Sequence, residues 1–470
     1  MSGIVSYGAY LPFWRLQRRA ITATLGAGGG GGKGARTVAS YDEDTTSMGV
    51  EAGRIALRQA PAGAMPADVL FATTAPAYAD KTNASAIHAA LDLPTHVGAY
   101  DLVWAVRSNV AACTLADRVG GLAVLSDQRI GLPGGAEEAA GGDAAVALLF
   151  GDGPDVIAES IGGATASGEF LDRWRLPGDA TSQQWEERFG EFAYAPLVEE
   201  AVTAALKSAE LGAIDVDHAI VTGLHARAVK AAVRSVGFRP EAIVDDLAGT
   251  VGNSGAAHAG LLLADVLDRA GPGETIAVVQ LADGVDVWLL RTTAAIATYT
   301  PARTVAESVA AGRDDLSYAQ FLTWRGQLHR EPPRRPEPDR PAAPPSLRTD
   351  AWKYAFVGSR DEGGFVHLPP TRVSMGSGEI DRMEPVRMAD VPATIATFTV
   401  DRLAFSLSPP VVSAVIDFDG GGRFQCELTD VDPESVAIGD RVEMTFRRLF
   451  TSGGIHNYFW KARPLTARED

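Results

Sequence analysis

A run of sixteen residues, EPPRRPEPDRPAAPPS at 331–346, contains seven prolines and divides the chain into two sequences of different character. Each proline fixes its own φ and lacks an amide hydrogen, so the run excludes helix and sheet and reads as an extended, semi-rigid linker. No single core can pass through it. With 470 residues, 46% of them hydrophobic, the chain is long enough for two or three cores at roughly 150 residues per domain.

Upstream of the run, short apolar stretches alternate with helical patterns, as in SMGVEAGRIALRQA, then VLFATTA, then NASAIHAALDL. This is the rhythm of an α/β protein with buried strands. LGAGGGGGKGAR at 25–36 is too rich in glycine to hold one conformation and reads as a flexible loop. It does not read as a phosphate loop, because the following TVASYDEDTTS leads irregularly toward an N-cap rather than opening a helix at once. GDAAVALLFGDGPDVIAES and ETIAVVQLADGVDVWLLR each present an apolar strand, a turn and a second strand, an echo that suggests duplication. Downstream of the run, from Trp352, about five alternating strands punctuated by DGGG and SGG suggest a small closed barrel.

The formal charge of −17 argues against nucleic-acid partners, since such binding depends on neutralising phosphates with Lys and Arg. Any anion site must be local. No segment approaches the roughly 20 apolar residues of a membrane span, and MSGIVSYGAYLPFWR lacks a secretory pattern. Two widely separated cysteines, Cys113 and Cys426, suit a reducing compartment. A cytoplasmic protein with no membrane partner is the expectation.

The blocks GIVSYGAYLPFWR, EDTTSMGVEAGRIAL, DLVWAVRSNVAACTLA, FLDRWRLPGD, VTGLHARAVKAAV and VGNSGAAHAGLLLADVLDRAGPGETIAVVQLADGVDVWLL resemble, in order, those of the hydroxymethylglutaryl-CoA synthase branch of the thiolase superfamily. SYAQFLTWRG, WKYAFVGSRDEGGFVHLPPTRVSMGSG and the remainder of the chain resemble the acyl-CoA-associated OB-fold proteins that begin with a zinc ribbon. The resemblance implies a duplicated thiolase-like α/β fold, in halves 1–155 and 156–295. It places a helix and linker at 296–350, a degenerate zinc-ribbon hairpin at 351–383 and an OB-fold domain at 384–470. It also implies a homodimer acting on acyl-CoA, with the CoA thioester as substrate and no bound cofactor. A further protein partner stays open.

The family's chemistry uses a thiolate to accept the acyl group, a carboxylate for the α-proton, and a His with an Asn for the thioester oxygen. The nucleophile position, at the start of the helix after DLVWA, is Val106. Cys113 lies seven residues further on, roughly 10 Å along a helix and past the useful range of its dipole, and reads as a core cysteine. The acid position falls on Thr74 or a neighbour in the TTAP turn, with Tyr78 and Asp80 just downstream as candidate acid or base. His225 follows a strand and Asn253 opens a helix, both in the family's order, whereas His258 and His88 read as packing residues. Arg107 and Ser108, beside Val106, are candidates for substrate binding, although Ser in a first turn commonly caps.

Such a pocket suits enolate chemistry on a β-hydroxyacyl-CoA by an aldol or retro-aldol route, because aimed donors can hold an enolate without a nucleophile. A non-catalytic acyl-CoA-binding scaffold and a synthase that uses Cys113 are the alternatives. At the zinc-ribbon positions stand Asp361, Gly364, Ser374 and Ser377, with His367 between them, which predicts no structural metal and a hairpin held by Phe356, Phe365 and Leu368. Arg447, Arg448, Lys461 and Arg463 read either as a patch for CoA phosphates or as a solvated barrel face.

Overall fold

The computed structural model describes residues 2–26 and 32–465, so the centre of the glycine-rich loop, 27–31, lies outside the described residues. The chain forms two compact units. One comprises Met1–Ala39, Glu51–Ser85 and Thr95–Phe321; the other comprises Ser40–Val50, Ala86–Pro94 and Leu322–Asp470.

The first unit is built on nine strands: β1 (Ser2–Tyr10), β2 (Asp68–Thr73), β3 (Gly98–Val103), β4 (Leu122–Gln128), β5 (Asp143–Asp152), β6 (Ala158–Ser167), β7 (His218–Gly223), β8 (Thr275–Leu281) and β9 (Gly284–Thr292). Their spatial order is β7-β8-β9-β6-β1-β5-β4-β2-β3. β4, β5 and β8 are buried along nearly their whole length, which is why they read as continuous apolar runs rather than alternating ones. From β1 outward the pairings are antiparallel to β5, antiparallel to β4, parallel to β2 and parallel to β3. From β6 outward they are antiparallel to β9, antiparallel to β8 and parallel to β7. A single parallel bridge between Ala219 and Ile243 stands where the second half would carry its fifth strand.

The fold is therefore the expected duplicated α/β domain, but the sequence echo does not mark equivalent parts. β8 and β9 pair directly, whereas β5 and β6 both pair with β1. The counterpart of β8–β9 is β4–β5, separated by residues 129–142. Apolar strands flanking a turn look alike in sequence whatever they pair with.

Arg36 and Asp143 form an ion pair at 3.2 Å with both side chains fully buried. Burying two charges is costly unless the remaining donors and acceptors are satisfied. Here Arg36 also donates to the carbonyls of Glu138 (2.6 Å) and Arg129 (2.9 Å), while Asp143 accepts the amides of Ala39 (2.7 Å) and Arg129 (2.9 Å). The pair thus clamps the backbone of Arg129 from both sides.

In the second unit, five strands (Ala393–Asp401, Val411–Phe418, Arg423–Leu428, Ile455–Pro464 and Arg441–Ser452) close into the expected barrel. The alternating burial of Val411–Phe418 points one face inward, around Ile416, Phe446, Met444 and Trp460. The proline-rich stretch does not exclude helix throughout, because Ala343–Arg348 is a short helix. Its prolines fall in the first turn, where the missing amide is not needed.

Two expectations for the second unit are corrected. Arg447 and Lys461 form neither an exposed patch nor a solvated face: both are almost completely buried. Arg447 pairs with Glu43 at 2.8 Å and with Asp430, and Lys461 pairs with Asp42 at 3.0 Å and Glu427 at 2.6 Å. Arg463 is engaged with Glu443 at 2.8 Å, and Arg448 lies 3.6 Å from Asp44. Phe365 does not hold the hairpin from inside, being 59% exposed, although Phe356 is buried against Trp352 and Phe424.

Hydrogen bonds hold the hairpin at the ribbon positions. Asp361 accepts from the hydroxyls of Ser374 and Ser377 and from the amide of Phe365 (2.7 Å), and Ser374 Oγ accepts the amides of Gly376 and Ser377 at 3.0 Å. One carboxylate and two hydroxyls do not supply the thiolate set of a zinc ribbon. The Ser374 hydrogen bond, with that from Phe365, holds the Asp361 carboxyl below the usual range. Its contribution is therefore present above the ordinary carboxylate pKa and is lost as pH falls through the depressed one. Hydrogen exchange on Asp361→Ala is expected to show protection lost at the Phe365 amide, and the wild type should lose the same protection in acid. Unchanged protection in the variant would show that packing alone holds the hairpin.

Candidate functional site

In the first unit the loops that follow β2, β3, β4, β7 and β8 enclose a cavity of about 520 Å³. Within each half these strands run parallel, so their carboxyl ends cluster, the usual place for a ligand in an α/β sheet, and loops from both halves meet at this cavity. Thr74, Val106, Arg129, His225 and Asp283 come from those five loops, and Asp172, Arg173 and Arg175 from the segment after β6.

Val106 sits in the turn between β3 and the helix Ser108–Val119 and lines the cavity. Trp104, two residues earlier, has φ = 84°, a left-handed conformation that is strained for a bulky residue and costs on the order of 1–3 kcal/mol. Arg107 and Ser108 are not part of the wall. The Arg107 guanidinium is tied to Asp286 at 2.8 Å and to the Asp283 carbonyl at 2.7 Å, and Ser108 begins the helix without capping it.

Thr74 is in the wall, with a carboxylate directly behind it. Its hydroxyl donates to Asp127, lying 2.7 and 2.8 Å from the two carboxylate oxygens, and Asp127 also accepts the amides of Thr74 (3.2 Å) and Ala256 (3.0 Å). Burial pushes the Asp127 carboxyl up against the opposing pull of Arg129 and these donors. Tyr78 is half-buried and Asp80 exposed in the loop beyond, and neither lines the cavity.

His225 caps the helix Ala226–Ser235, its Nδ1 accepting the Ala228 amide at 3.0 Å. An amide can only donate, so the ring proton of the neutral imidazole resides on Nε2. That N–H is buried with no hydrogen-bond partner among the described residues, and it faces Gly190, where a Cβ would come within 2.3 Å of it. Asn253 is absent from this wall and shares with His225 a smaller neighbouring recess of about 150 Å³. Its amide is already used, donating to the Gly223 carbonyl (3.1 Å) and accepting from the Gly255 amide (2.9 Å).

Cys113 is half-buried rather than fully buried and packs against the core; it lines a separate cavity of about 610 Å³ with Asn109 and Gln280. Burial, reinforced by Asp117, pushes its thiol up to about 12. His258 is buried in its helix and His88 lies on the helix Ala84–Ala90.

The carboxyl groups that do line the wall are Asp172 and Asp283, and burial raises both. Asp172 is also within the field of His225. Arg129 reaches Thr74 Oγ1 (3.2 Å) and Glu137 (3.3 Å), Arg173 pairs with the same Glu137, and Arg175 donates to the Thr74 carbonyl. Burial and the charge of Arg129 lower the Arg173 guanidinium to about 9, still cationic at neutral pH. The visible signal for Asp172, Arg173 and Arg175 is the dense charge of DRWR in an otherwise apolar half; Arg129 carries no comparable signal.

Residues 386–447 match the family described as the C-terminal OB-fold domain of ChsH2. Over 342 residues the chain is 30% identical to the hydroxymethylglutaryl-CoA synthase of Aeropyrum pernix, an alignment covering 70% of this chain and 95% of that protein. It is 28% identical over 296 residues to that of Methanopyrus kandleri, covering 60% and 84%. A solved HMG-CoA synthase complexed with CoA matches with a TM-score of 0.57 at 15% identity, covering 68% of this chain and 89% of that one. The 3-oxoacyl-(acyl carrier protein) synthase III of Pseudomonas aeruginosa matches with a TM-score of 0.54 at 18% identity, covering 62% and 98%. The two structural likenesses concern the fold.

Proposed function

This chain belongs to the hydroxymethylglutaryl-CoA synthase family, and from that premise we propose that it acts on acyl-CoA thioesters, making or breaking a carbon–carbon bond through an enolate and without an acyl-enzyme. The observation that carries the reading is Val106 in the cavity wall, which we take to stand where the family's chemistry requires a thiolate. Neither thiol of the chain replaces it: Cys113 lines another cavity, Cys426 belongs to the barrel, and burial pushes both up to about 12.

In the cleavage direction Asp172 takes the proton of the substrate's β-hydroxyl, and the carbon–carbon bond breaks as the new carbonyl forms. The electron pair moves into the thioester enolate, whose oxygen is held by the Nε2–H of His225 once the acyl group displaces its contact with Gly190. The α-carbon then recovers the proton from Asp172 and acyl-CoA leaves. Thr74 shapes the wall, its hydroxyl committed to Asp127. Tyr78 and Asp80 have no part in this route. We further take the chain to form a homodimer, for which the outer edge of β3, the last strand of the sheet, with Tyr100 exposed, offers support. We place it in the cytoplasm, in keeping with two free cysteines.

Intact-mass analysis after incubation with acetyl-CoA or propionyl-CoA is expected to show no adduct on the wild type, while Val106→Cys gains one. In deuterated buffer the wild type should exchange the α-protons of propionyl-CoA, reporting the enolate. An adduct on the wild type that disappears in Cys113→Ala would overturn the reading in favour of synthase chemistry. Binding without exchange would favour the acyl-CoA-binding scaffold.

A further inference from the structure

We propose that the second cavity of the first unit, about 610 Å³ and lined by none of Val106, His225 or the arginines of the first, binds an apolar chain with an anionic head, a medium-chain carboxylate. The inference does not rest on the acyl-CoA reading above. The cavity lies among the helices Ser108–Val119 and His258–Leu267 and the strands β6, β8 and β9, and its volume is that of a small-molecule site.

Two polar braces join the helix Ser108–Val119 to the second half of the sheet. Near the helix start, the side-chain amides of Asn109 and Gln280 exchange two hydrogen bonds, each of 2.8 Å. Near its end, Asp117 accepts the hydroxyls of Ser2 (2.7 Å) and Ser160 (2.8 Å), and Ser160 accepts the Trp288 indole N–H at 3.0 Å. The eight residues from Asn109 to Asp117 span roughly 12 Å of helix, the reach of a medium alkyl chain. Along this length β6 contributes Gly162, Gly163 and Ala164, nothing larger than a methyl group, which leaves the space beside the helix open.

Inside the cavity the polar side chains are committed to one another. Besides the braces, Thr165 donates to Asp286 at 2.8 Å, and Asp286 pairs with Arg107 at 2.8 Å. A polar ligand would find few groups to bond it there, whereas Leu125, Leu148, Leu263 and Val278, all buried, favour an apolar chain. Arg118 lines the same cavity from the last turn of the helix, is exposed, and has no ion pair among the described residues. Its neighbour Asp117 carries the opposite charge, but both carboxylate oxygens are engaged by the serines. Arg118 is thus the cation placed to receive an anionic head at the mouth, with the chain running inward toward Asn109 and Gln280.

Calorimetric titration of the full chain with decanoate, octanoate and decanol, each kept below its aggregation limit, tests this. Decanoate is expected to saturate a single site, and octanoate to bind on the order of tenfold more weakly for its two missing methylenes. Decanol should bind more weakly than decanoate, and Arg118→Gln should remove that difference while leaving decanol binding unchanged. Cys113→Phe and Ala164→Leu add bulk to the cavity from different elements, and each should abolish decanoate binding. The chain-length and head-group comparisons use the wild type, so they decide even where a filling variant fails to fold. Absence of a saturable decanoate site in the wild type overturns the inference. A site that both folded filling variants leave intact would lie elsewhere and overturns it too, as does equal binding of decanoate and decanol. Affinity that falls as the chain concentration is raised would show a second copy closing the cavity, with the same consequence.

Discussion

Arg447→Ala is expected to destabilise the barrel unit by about 3–5 kcal/mol, the cost of breaking a buried ion pair by removing one partner. The guanidinium is fully buried, with Glu43 at 2.8 Å, Asp42 at 3.5 Å and Asp430 also paired to it. Around this centre Lys461 holds Asp42, the Tyr458 hydroxyl donates to Asp44 at 2.7 Å, and the Arg448 amide donates to the Asp42 carbonyl at 2.8 Å. The variant deprives three buried carboxylates of their shared cation. For a unit of this size the melting transition should fall by roughly 10 °C. Burial opposes ionisation of Asp42, yet Lys461 and Arg447 together hold its carboxyl below the usual range. Its stabilisation is therefore full above the ordinary carboxylate pKa and disappears as pH falls through the lowered one, so the variant should show a shallower acid dependence. Calorimetry across pH checks both points. A melting temperature within a degree or two of wild type would mean that the cluster contributes nothing net. The same contacts predict that residues 322–470 expressed alone fold poorly, because Asp42, Glu43 and Asp44 lie in the segment Ser40–Val50.

The second large effect is on chemistry. His225→Ala is expected to slow α-proton exchange of propionyl-CoA by about 10²–10³-fold, the usual consequence of deleting one donor to a developing oxyanion, with little change in affinity for the ester. The imidazole's tautomer is set by the Ala228 amide, which leaves Nε2–H as the donor. Gly190→Ala provides an independent check, because its methyl would fall within 2.3 Å of Nε2 and must displace the ring. Both variants should therefore lose exchange while still binding the ester. Exchange at the wild-type rate in His225→Ala would show that the enolate is held elsewhere.

Much of the architecture is legible in residue order. Buried strands such as VLFAT and IAVVQL are apolar because both faces are covered, and the barrel strands alternate because one face is solvated. Val106, Thr74 and His225, singled out in the sequence, stand in one cavity wall. The neighbours Arg107 and Ser108 share that sequence context but not the wall, because the turn at Trp104 and the pull of Asp286 direct Arg107 elsewhere. Asp172 and the arginines escape notice as site residues because DRWR reads equally well as a solvated loop when its neighbours are unknown.

What the sequence determined by itself was the class of each segment, the α/β-then-barrel order and the presence of no more than two thiols in the chain, all of which come from local periodicity and residue identity. Only the tertiary structure decided which charges are buried and what they face. RR at 447–448 looks like a basic surface pair, yet the first arginine is paired with carboxylates from residues more than four hundred positions earlier. Asp361, isolated in sequence, becomes the centre of a hydrogen-bonded hairpin once Ser374 and Ser377 fold onto it. The reason is physical: periodicity is a property of neighbours along the chain, whereas desolvation and charge pairing depend on neighbours through space, which no local pattern encodes.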